Sequence, residues 1–223
     1  MEESTGTRSG GFLPVCSYSN RLRSRIGAAE ALESLAGSFS PAAIVIADEL
    51  QRINLQLRGA SSEEARRSSS IAGSNSLRMY ESLAYSKHFS AVSVVSLAKL
   101  RVSPEFMIAE QKSLPALYSV DRFRKETSKF ISLVSRRFGW HNDSTAQALE
   151  IEYLNLEIVT SIFMAELAGY PFEVWEDLPR PLTPDPLTVA YSSAADELRS
   201  ALGKSTLDRR LVSLKSLVRV AVG

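Results

Sequence analysis

The sequence predicts an α/β protein with a Rossmann-like parallel sheet of about four to five strands, flanked by helices, and a helix-rich C-terminal half. Three apolar runs of four or five residues, too short for helices, predict buried strands at 12–16, 44–47 and 92–95. The second and third runs are rich in β-branched residues, which favour strands. A helical pattern separates the first two runs, as in a βαβ unit of about thirty residues. Such a unit implies parallel strands joined by a right-handed crossover.

Helices are predicted from the spacing of apolar residues and from residues that cap helix ends. The first helix carries its apolar residues at Leu22, Ile26, Ala29, Leu32 and Leu35. Gly37 is placed to end this helix. A second helix is expected over about residues 62–85, with Gly73 as a candidate break. Ser103 and Pro104 predict a further helix start, because proline is favoured at the first helical position.

Two long helices are expected in the second half of the chain. Residues 118–138 are expected to form one of them, with apolar residues and cations on separate faces. The apolar row is Phe123, Phe130, Val134 and Phe138, and the cationic row is Arg122, Lys125, Lys129 and Arg136. The next helix begins at Asn142 or Asp143 and ends at Gly169, a residue type that often follows a helix. Residues 158–167 are apolar almost all round, which predicts that this part is buried.

The remaining elements set the expected domain boundaries. Residues 171–175 predict a fourth strand, and a proline-rich exit follows it. Two more helices are expected over 186–202 and about 206–222. The expected division is a flexible tail at 1–11, a Rossmann-like domain at 12–184 and a C-terminal helical extension at 185–223.

Composition and charge exclude several classes of protein. The chain has 223 residues and a formal net charge of +1, so any contact with nucleic acid must come from a local patch. Cys16 is the only cysteine and cannot form an internal disulfide, which is typical of a reducing cytosol, so we expect a cytoplasmic protein. No apolar run approaches the ~20 residues of a membrane span, and the N-terminal residues show no signal-peptide pattern.

Metal, nucleotide and hydrolase motifs are not found. The sequence has no glycine-rich nucleotide-binding loop, and its two histidines, His88 and His141, are far apart. We therefore predict no metal site and no cofactor, and a Ser-His-Asp hydrolase is disfavoured.

Ser17 and Asn20 directly follow the first predicted strand, in the run LPVCSYSN. In open α/β sheets, ligands bind beyond the carboxyl ends of the strands where the strand order reverses, and the first strand flanks that point. A serine hydroxyl there can attack an ester if donors hold the oxyanion, and Asn20 can donate such a hydrogen bond. An ordinary strand-to-loop exit is the alternative, since such loops are rich in serine.

Tyr153 and Glu157 are spaced i, i+4, which puts both side chains on one face of a helix. The helix around Glu157 is otherwise apolar, and a buried carboxylate needs a cation or a hydrogen-bond donor. A substrate α-ammonium group would meet that need. The alternatives are an arginine of the protein, or exposure of Glu157 to solvent.

Cations occur in two groups that can meet phosphates. Arg66, Arg67 and Arg78 lie in the second predicted helix, and the row that begins at Arg122 lies in the helix over 118–138. Charged stripes of this kind are more often solvated faces.

Taken together, four stretches resemble the tRNA-dependent cyclodipeptide synthases, which have the catalytic-domain fold of class I aminoacyl-tRNA synthetases. The stretches are LPVCSYSN, RGASSEEARRSS, SLAKLRVSPEF and EYLNLE, and they follow the order of the family over about residues 12–180. The first resembles the strand-one motif that leads into Ser-x-x-Asn, and the last resembles a Tyr-x-x-x-Glu pair. The second resembles the segment that opens a long tRNA-contacting helix.

The resemblance implies roles for residues that spacing alone does not assign. Ser17 stands at the nucleophile position, Asn20 at an asparagine that marks one subfamily, and Tyr153 and Glu157 hold the aminoacyl group. Trp175 stands where the family has a catalytic tyrosine, and Tyr170 is the alternative source of that hydroxyl. The implied substrate contacts are Leu13, Val15 (at a family glycine), Arg66, Arg67 and Arg78.

The implied reaction is a ping-pong synthesis of a diketopiperazine. Ser17 takes an aminoacyl group from one aminoacyl-tRNA, a second aminoacyl-tRNA reacts to give a dipeptidyl-enzyme, and ring closure releases the cyclic dipeptide. The expected partners are two aminoacyl-tRNAs, with no DNA and no membrane, and the expected state is a monomer or weak homo-oligomer. Two alternatives stay open: a degenerate, non-catalytic binder of aminoacyl groups or nucleotides with this fold, and a helical protein-interaction module.

Overall fold

A five-stranded parallel sheet forms the centre of the computed structural model, which describes residues 9–15, 21–87, 89, 91–176, 200, 210–214 and 217. The strands are β1 (Gly11–Val15), β2 (Ala42–Ile46), β3 (Val92–Ser96), β4 (Phe172–Trp175) and β5 (Arg210–Ser213). Their order in the sheet is β3-β2-β1-β4-β5, and every neighbouring pair is parallel. The predicted Rossmann-like α/β fold class is therefore confirmed.

Seven α-helices flank the sheet within the described residues. They are α1 (Arg25–Ser38), α2 (Asp48–Leu57), α3 (Ser62–Ser86), α4 (Leu97–Arg101), α5 (Pro104–Ser119), α6 (Asp121–Phe138) and α7 (Ser144–Ile162). One π-helical turn, Phe163–Leu167, continues α7 towards β4. No described helix is long and apolar enough to cross a membrane.

Each face of the sheet packs on its own apolar layer, because successive side chains of a strand point to opposite faces. Leu13 and Val15 of β1 belong to the layer that includes Leu32 of α1 and Tyr80 of α3. Phe12 belongs to the other layer, with residues of α2, α5 and α7. Strands buried on both faces read as continuous apolar runs, as the sequence of β2 does.

Helix starts follow the predicted capping chemistry. The Ser103 side chain accepts a hydrogen bond from the backbone N–H of Phe106, and Pro104 is the first residue of α5. Asp143 caps α7, where its carboxylate accepts from the N–H groups of Thr145 and Ala146. Such caps contribute about 1 kcal/mol each, because the first N–H groups of a helix have no partner within it.

Three sequence predictions about helices are wrong. Gly73 does not break α3; it lies against Asp48, and an added Cβ would stand 2.7 Å from the Cβ of Asp48. Ile26 is 75% exposed, so the buried face of α1 is rotated towards Ala28 and Ala31. Phe138 is also exposed, and its ring stacks on Trp140 at 4.7 Å.

The C-terminal region differs from the predicted pair of helices. Residues 210–213, placed in the second of these helices, form β5 and pair with all four residues of β4. The guanidinium of Arg210 lies 5.3 Å from the ring centroid of Phe172, a cation–π distance. The predicted helix over 186–202 and the tail at 1–11 fall mostly outside the described residues. Residues 210–213 therefore belong to the sheet rather than to a helical extension.

The strand order reverses at β1. The chain runs from β1 to β2 and β3 on one side and then returns to β4 and β5 on the other. Ligands of such sheets bind outside the carboxyl ends of the strands at this reversal. The prediction that β1 flanks the switch point is confirmed.

Candidate active site

A cavity of about 350 Å³ lies beside the switch point, between the sheet and α7. Its size is at the lower end of the range for small-molecule sites. It is lined by Phe12, Pro14, Leu22, Val45, Ala47, Leu50, Leu97, Glu157, Thr160, Ser161, Glu173, Trp175 and Glu176. Most of these side chains are apolar, and the polar ones include three carboxylates.

The strand side chains form two levels of the cavity. Phe12 pairs with Glu173 across β1 and β4, and Pro14, two residues further along β1, stands level with Val45 of β2. Trp175 stands two residues beyond Glu173, on the same face of β4. Two residues of a strand span about 7 Å, so Glu173 lies deeper than Trp175 by roughly that distance.

Helix α7 supplies the opposite wall. Glu157, Thr160 and Ser161 are spaced i, i+3 and i+4, so they share the face that lines the cavity. The Thr160 hydroxyl donates to the carbonyl of Leu156 at 2.7 Å. Glu157 is partly buried, which answers one of the open alternatives: this side chain is not simply exposed to solvent.

Tyr153 lies one turn before Glu157 on α7. Its ring packs against the apolar layer that contains Phe106 and Leu97, and it is only partly buried. The predicted Tyr-x-x-x-Glu pair is therefore on one helix face, with Glu157 as the member that lines the cavity.

Trp175 and Glu173 form a hydrogen-bonded pair within the cavity. The indole Nε1–H of Trp175 donates to Oε1 of Glu173 at 2.7 Å. Glu173 is only 2% exposed, which is rare for a carboxylate. Sequence reasoning did not single out Glu173, although its alternation with Trp175 on a predicted strand placed both on one face.

Ser17 and Asn20 lie outside the described residues, but the residues on either side of their segment line the cavity. Pro14 precedes the segment on β1, and Leu22 follows it. The hydroxyl of Tyr80 donates to the carbonyl of Leu22 at 2.8 Å and anchors the chain there. Burial and, to a smaller extent, the negative charge of Glu176 raise the pKa of Tyr80 well above its usual range.

Three other predicted residues lie away from the cavity. Leu13 and Val15 point into the layer of α1 and α3, so Phe12 and Pro14 are the β1 residues that reach the cavity. The hydroxyl of Tyr170 lies 3.4 Å from Oγ of Ser93, near the start of β3. That position is at the amino-terminal edge of the sheet, opposite the cavity mouth.

The predicted cations are on the surface. Arg66, Arg67 and Arg78 are exposed on α3, as are the cations of the row on α6. Two members of that row, Arg122 and Lys129, pair with Glu126 at 3.3 and 3.1 Å. Ion pairs of this kind at a surface contribute little to stability.

A groove runs beside α3 on the side of α1. It is lined by Arg23, Ser68, Ile71, Ala72, Asn75, Ser76 and Met79, and its volume is about 430 Å³. Arg23 follows Leu22 directly, so one end of this groove lies beside the segment that adjoins the cavity.

Asp48 connects two walls of the cavity and was not predicted. Its Oδ1 accepts hydrogen bonds from the backbone N–H groups of Glu49 at 3.0 Å and Ala98 at 2.9 Å. Ala47 and Leu97, which precede Asp48 and Ala98, both line the cavity. Burial raises the pKa of Asp48. The sequence signal that could have identified Asp48 is its position directly after the second predicted strand.

An ion-pair cluster holds α7 against α2 and α4. Arg52 contacts Glu49 at 3.0 Å and Glu152 at 2.6 Å, and Arg101 contacts the same two carboxylates at 3.1 and 3.2 Å. All four side chains are partly shielded from solvent, which strengthens their attraction relative to a fully exposed pair. Glu152 lies on the same helix as Glu157, so the cluster helps to fix the cavity wall.

Within the described part of the chain, no group of three or more His, Cys, Asp or Glu side chains is arranged to hold a metal ion.

Solved structures of cyclodipeptide synthases have the same fold. The CDPS from Fluoribacter dumoffii is 17% identical, and the match covers 92% of this chain and 89% of that one, with a TM-score of 0.65. AlbC, a cyclodipeptide synthase from Streptomyces noursei, is 16% identical over 96% of this chain and 99% of its own, with a TM-score of 0.66.

A Mycobacterium tuberculosis protein, described as demonstrating that cyclodipeptide synthetases are related to type I tRNA synthetases, is 13% identical. That match covers 92% of this chain and 84% of the other, with a TM-score of 0.68. No family model and no curated protein matches the sequence. The resemblance drawn from the motifs is thus confirmed at the level of the fold.

Proposed function

We propose that this chain, which has the cyclodipeptide synthase fold, takes two aminoacyl groups from aminoacyl-tRNAs and releases them as a cyclic dipeptide. One observation carries the proposal. The residues that flank the Ser17 segment and the carboxylate of Glu157 line the same cavity at the switch point of the sheet.

The first step is capture of an aminoacyl group by Ser17. The serine oxygen attacks the ester carbonyl of an aminoacyl-tRNA, the bond to the terminal ribose oxygen breaks, and the serine proton ends on that oxygen. Asn20 donates a hydrogen bond to the oxyanion. The ester is already activated, so the reaction requires no nucleotide hydrolysis.

Glu157 and Tyr153 hold the α-amino group of the captured residue. A carboxylate in a mostly apolar cavity binds an ammonium group strongly, because water competes poorly there. The hydroxyl of Tyr153, one turn away on α7, adds a hydrogen bond to the amine once the ligand is bound.

Two aminolysis steps complete the product. The amine of the seryl-bound residue attacks the ester carbonyl of a second aminoacyl-tRNA, the bond to the terminal ribose oxygen breaks, and the amine proton ends on that oxygen, which gives a dipeptidyl-enzyme and a free tRNA. The new terminal amine then attacks the seryl ester, closes the ring and returns the proton to the Ser17 oxygen. Trp175 lines the space where this ring closes, whereas the Tyr170 hydroxyl faces Ser93 at the far edge of the sheet.

The tRNA is expected to approach along α3. Exposed Arg66 and Arg67 stand near the start of this helix, and the groove beside Arg23 leads from its middle towards the cavity. Exposed guanidinium groups bind phosphates without any need for base recognition.

The test uses purified protein and a pool of tRNAs charged with radiolabelled amino acids. After ribonuclease digestion of the tRNA and acid precipitation of the protein, we expect the wild type and a Cys16→Ala control to retain label, and the label on Ser17→Ala to be at least about 100-fold lower. Mass spectrometry then checks for cyclic dipeptides. Equal labelling of Ser17→Ala would remove Ser17 from the proposed role.

A binding protein without synthesis is the second candidate, and Trp175 favours it. The indole has no hydroxyl and its only donor is held by Glu173. Binding of aminoacyl-tRNA without labelling of Ser17 and without release of any cyclic product would support this candidate over the synthase.

A further inference from the structure

Ser161 of α7 carries a buried hydroxyl that lines the cavity. The residue is 2% exposed, and its Oγ makes no hydrogen bond to any residue that the structure describes. Its neighbour Thr160 differs, because the hydroxyl of Thr160 already donates to the carbonyl of Leu156. Buried polar groups almost always have a partner, and a buried hydroxyl without one costs free energy. The Ser161 hydroxyl therefore needs a hydrogen-bonding group inside the cavity.

The depth of Ser161 in the cavity follows from the direction of α7. This helix leads, through one π-helical turn and a short connection, into the start of β4 at the amino-terminal edge of the sheet. The mouth of the cavity lies at the opposite edge, so residues later in α7 lie deeper. Ser161 follows Glu157 by four residues and lies about 6 Å further along the helix axis. A ligand held at Glu157 by its α-amino group therefore meets Ser161 with the far end of its side chain.

Apolar side chains from the sheet and α4 form walls of the cavity, and its volume of about 350 Å³ holds one amino acid with a large side chain. These wall residues are Phe12, Pro14, Val45 and Leu97. Tyrosine has a flat apolar ring with a hydroxyl at its far end, and that hydroxyl usually has a hydrogen-bond partner when the ring is buried. Serine, threonine and asparagine carry their polar groups close to Cα, which keeps these groups near Glu157 and away from Ser161.

We propose that Ser161 determines the specificity of the cavity for an aminoacyl group with a tyrosyl side chain, whose phenolic hydroxyl binds Oγ of Ser161. This inference rests on the proposed function for the placement of the α-amino group at Glu157. A serine hydroxyl both donates and accepts, as a phenol does, so the hydrogen bond can form in either direction. A phenylalanyl side chain fills the same space and leaves the Ser161 hydroxyl without a partner, which is how such a site discriminates against it.

Isothermal titration calorimetry of the whole chain compares three ligands: L-tyrosinamide, L-phenylalaninamide and 4-fluoro-L-phenylalaninamide. Each ligand keeps the α-ammonium group and lacks the carboxylate of a free amino acid, as an aminoacyl ester does. The fluorinated ligand is close to tyrosine in size but has no hydroxyl to donate. We expect tyrosinamide to bind about 10-fold more tightly than the other two, because they leave a buried hydroxyl unpaired.

The substitution Ser161→Ala removes the hydroxyl, so tyrosinamide and phenylalaninamide should bind this variant with affinities within about 2-fold of each other. Alanine favours helices and removes an unpaired buried group, so the variant is expected to fold. Ser135→Ala is the matched control. Ser135 is also 2% exposed and its Oγ has no hydrogen-bond partner among the described residues, but it lines a separate pocket between α6 and α7. We expect this control to keep the preference for tyrosinamide.

Equal binding of tyrosinamide and either phenylalanine ligand to the wild type would overturn the inference, and so would a preference that survives Ser161→Ala or no binding of any of the three ligands. Labelling of Ser17 by phenylalanyl-tRNA but not by tyrosyl-tRNA overturns only the inference and not the proposed synthase. Selective binding of tyrosinamide that Ser161→Ala removes, without any labelling of Ser17, supports the inference and overturns the proposed synthase.

Discussion

Replacing Asp48 by alanine tests whether one carboxylate holds two walls of the cavity together. Its Oδ1 accepts from the N–H groups of Glu49 and Ala98, at the start of α2 and within α4. The carboxylate also lies against Gly73 of α3, with Oδ2 at 3.0 Å from where a Cβ would stand. Alanine removes the acceptor of both hydrogen bonds and leaves a space beside Gly73.

The magnitude follows from these contacts. Each N–H that loses its acceptor in a buried site costs about 1–3 kcal/mol. Relief of the burial of a charged group offsets part of this cost. We expect Asp48→Ala to lower the free energy of unfolding by about 2 kcal/mol, and Asp48→Asn, whose Oδ1 can still accept from both N–H groups, to stay within about 1 kcal/mol of the wild type.

Urea unfolding followed by circular dichroism measures both variants, and an unchanged m-value shows that the same surface is exposed on unfolding. Two results would refute the reasoning: a loss below about 0.5 kcal/mol for Asp48→Ala, or equal losses for alanine and asparagine. Either result would mean that the two hydrogen bonds do not determine the contribution of Asp48.

The contribution of Asp48 to the free energy of unfolding should also depend on pH. Burial raises the pKa of Asp48 above its ordinary value of 3.8, so the folded protein holds this proton to a higher pH than the unfolded chain. The stabilising contribution of the protonated group is complete below that ordinary value and is lost as the pH rises through the raised pKa. The free energy of unfolding of the wild type, minus that of Asp48→Asn, should therefore fall with rising pH; a rise would contradict the assignment.

Two further outcomes are expected. The double change Arg66→Ala and Arg67→Ala should weaken tRNA binding and reduce the slope of log binding constant against log salt concentration by about 1 to 2. The control, Arg122→Ala with Lys125→Ala on α6, should leave this slope unchanged. Filter binding at several salt concentrations measures both, and the reverse result would indicate that the tRNA binds along α6. Thr127→Val should raise the free energy of unfolding by about 1 kcal/mol, since the buried hydroxyl of Thr127 has no hydrogen-bond partner among the described residues; no gain in urea unfolding would show that this hydroxyl is solvated.

The sequence allowed the first four strands and the switch point to be predicted, because four or five apolar residues are too few for a helix and the second and third runs are also rich in β-branched residues. It did not allow the cavity face of β1 to be predicted. Both faces of this strand are buried, so GFLPV shows no alternation of polar and apolar residues to separate Phe12 and Pro14 from Leu13 and Val15. Only the packing of α7 on one side and of α1 and α3 on the other defines these faces.

Helix α2 and strand β5 were missed for different reasons. Helix α2 has acidic residues in its first turn and apolar residues at Leu50, Ile53 and Leu57, as an amphipathic helix does. It begins only two residues after β2 ends, so its apolar residues merge with those of the strand. Strand β5 lies within leucines at helical spacing, and its pairing with β4 outweighs that local preference. Glu173 could have been found from its place beside Trp175, but its burial depends on residues far apart in the chain.

Because β5 pairs with β4, residues 210–213 complete the hydrogen bonding along one border of β4. β4 carries Glu173 and Trp175, and it is flanked by β1 on one side and by β5 on the other. A shortened chain that ended before residue 210 would leave the backbone amides and carbonyls of β4 along one border without their ladder. Unprotected strand borders recruit other chains, so removal of residues 210–223 would invite self-association at the strand that carries two of the side chains lining the cavity.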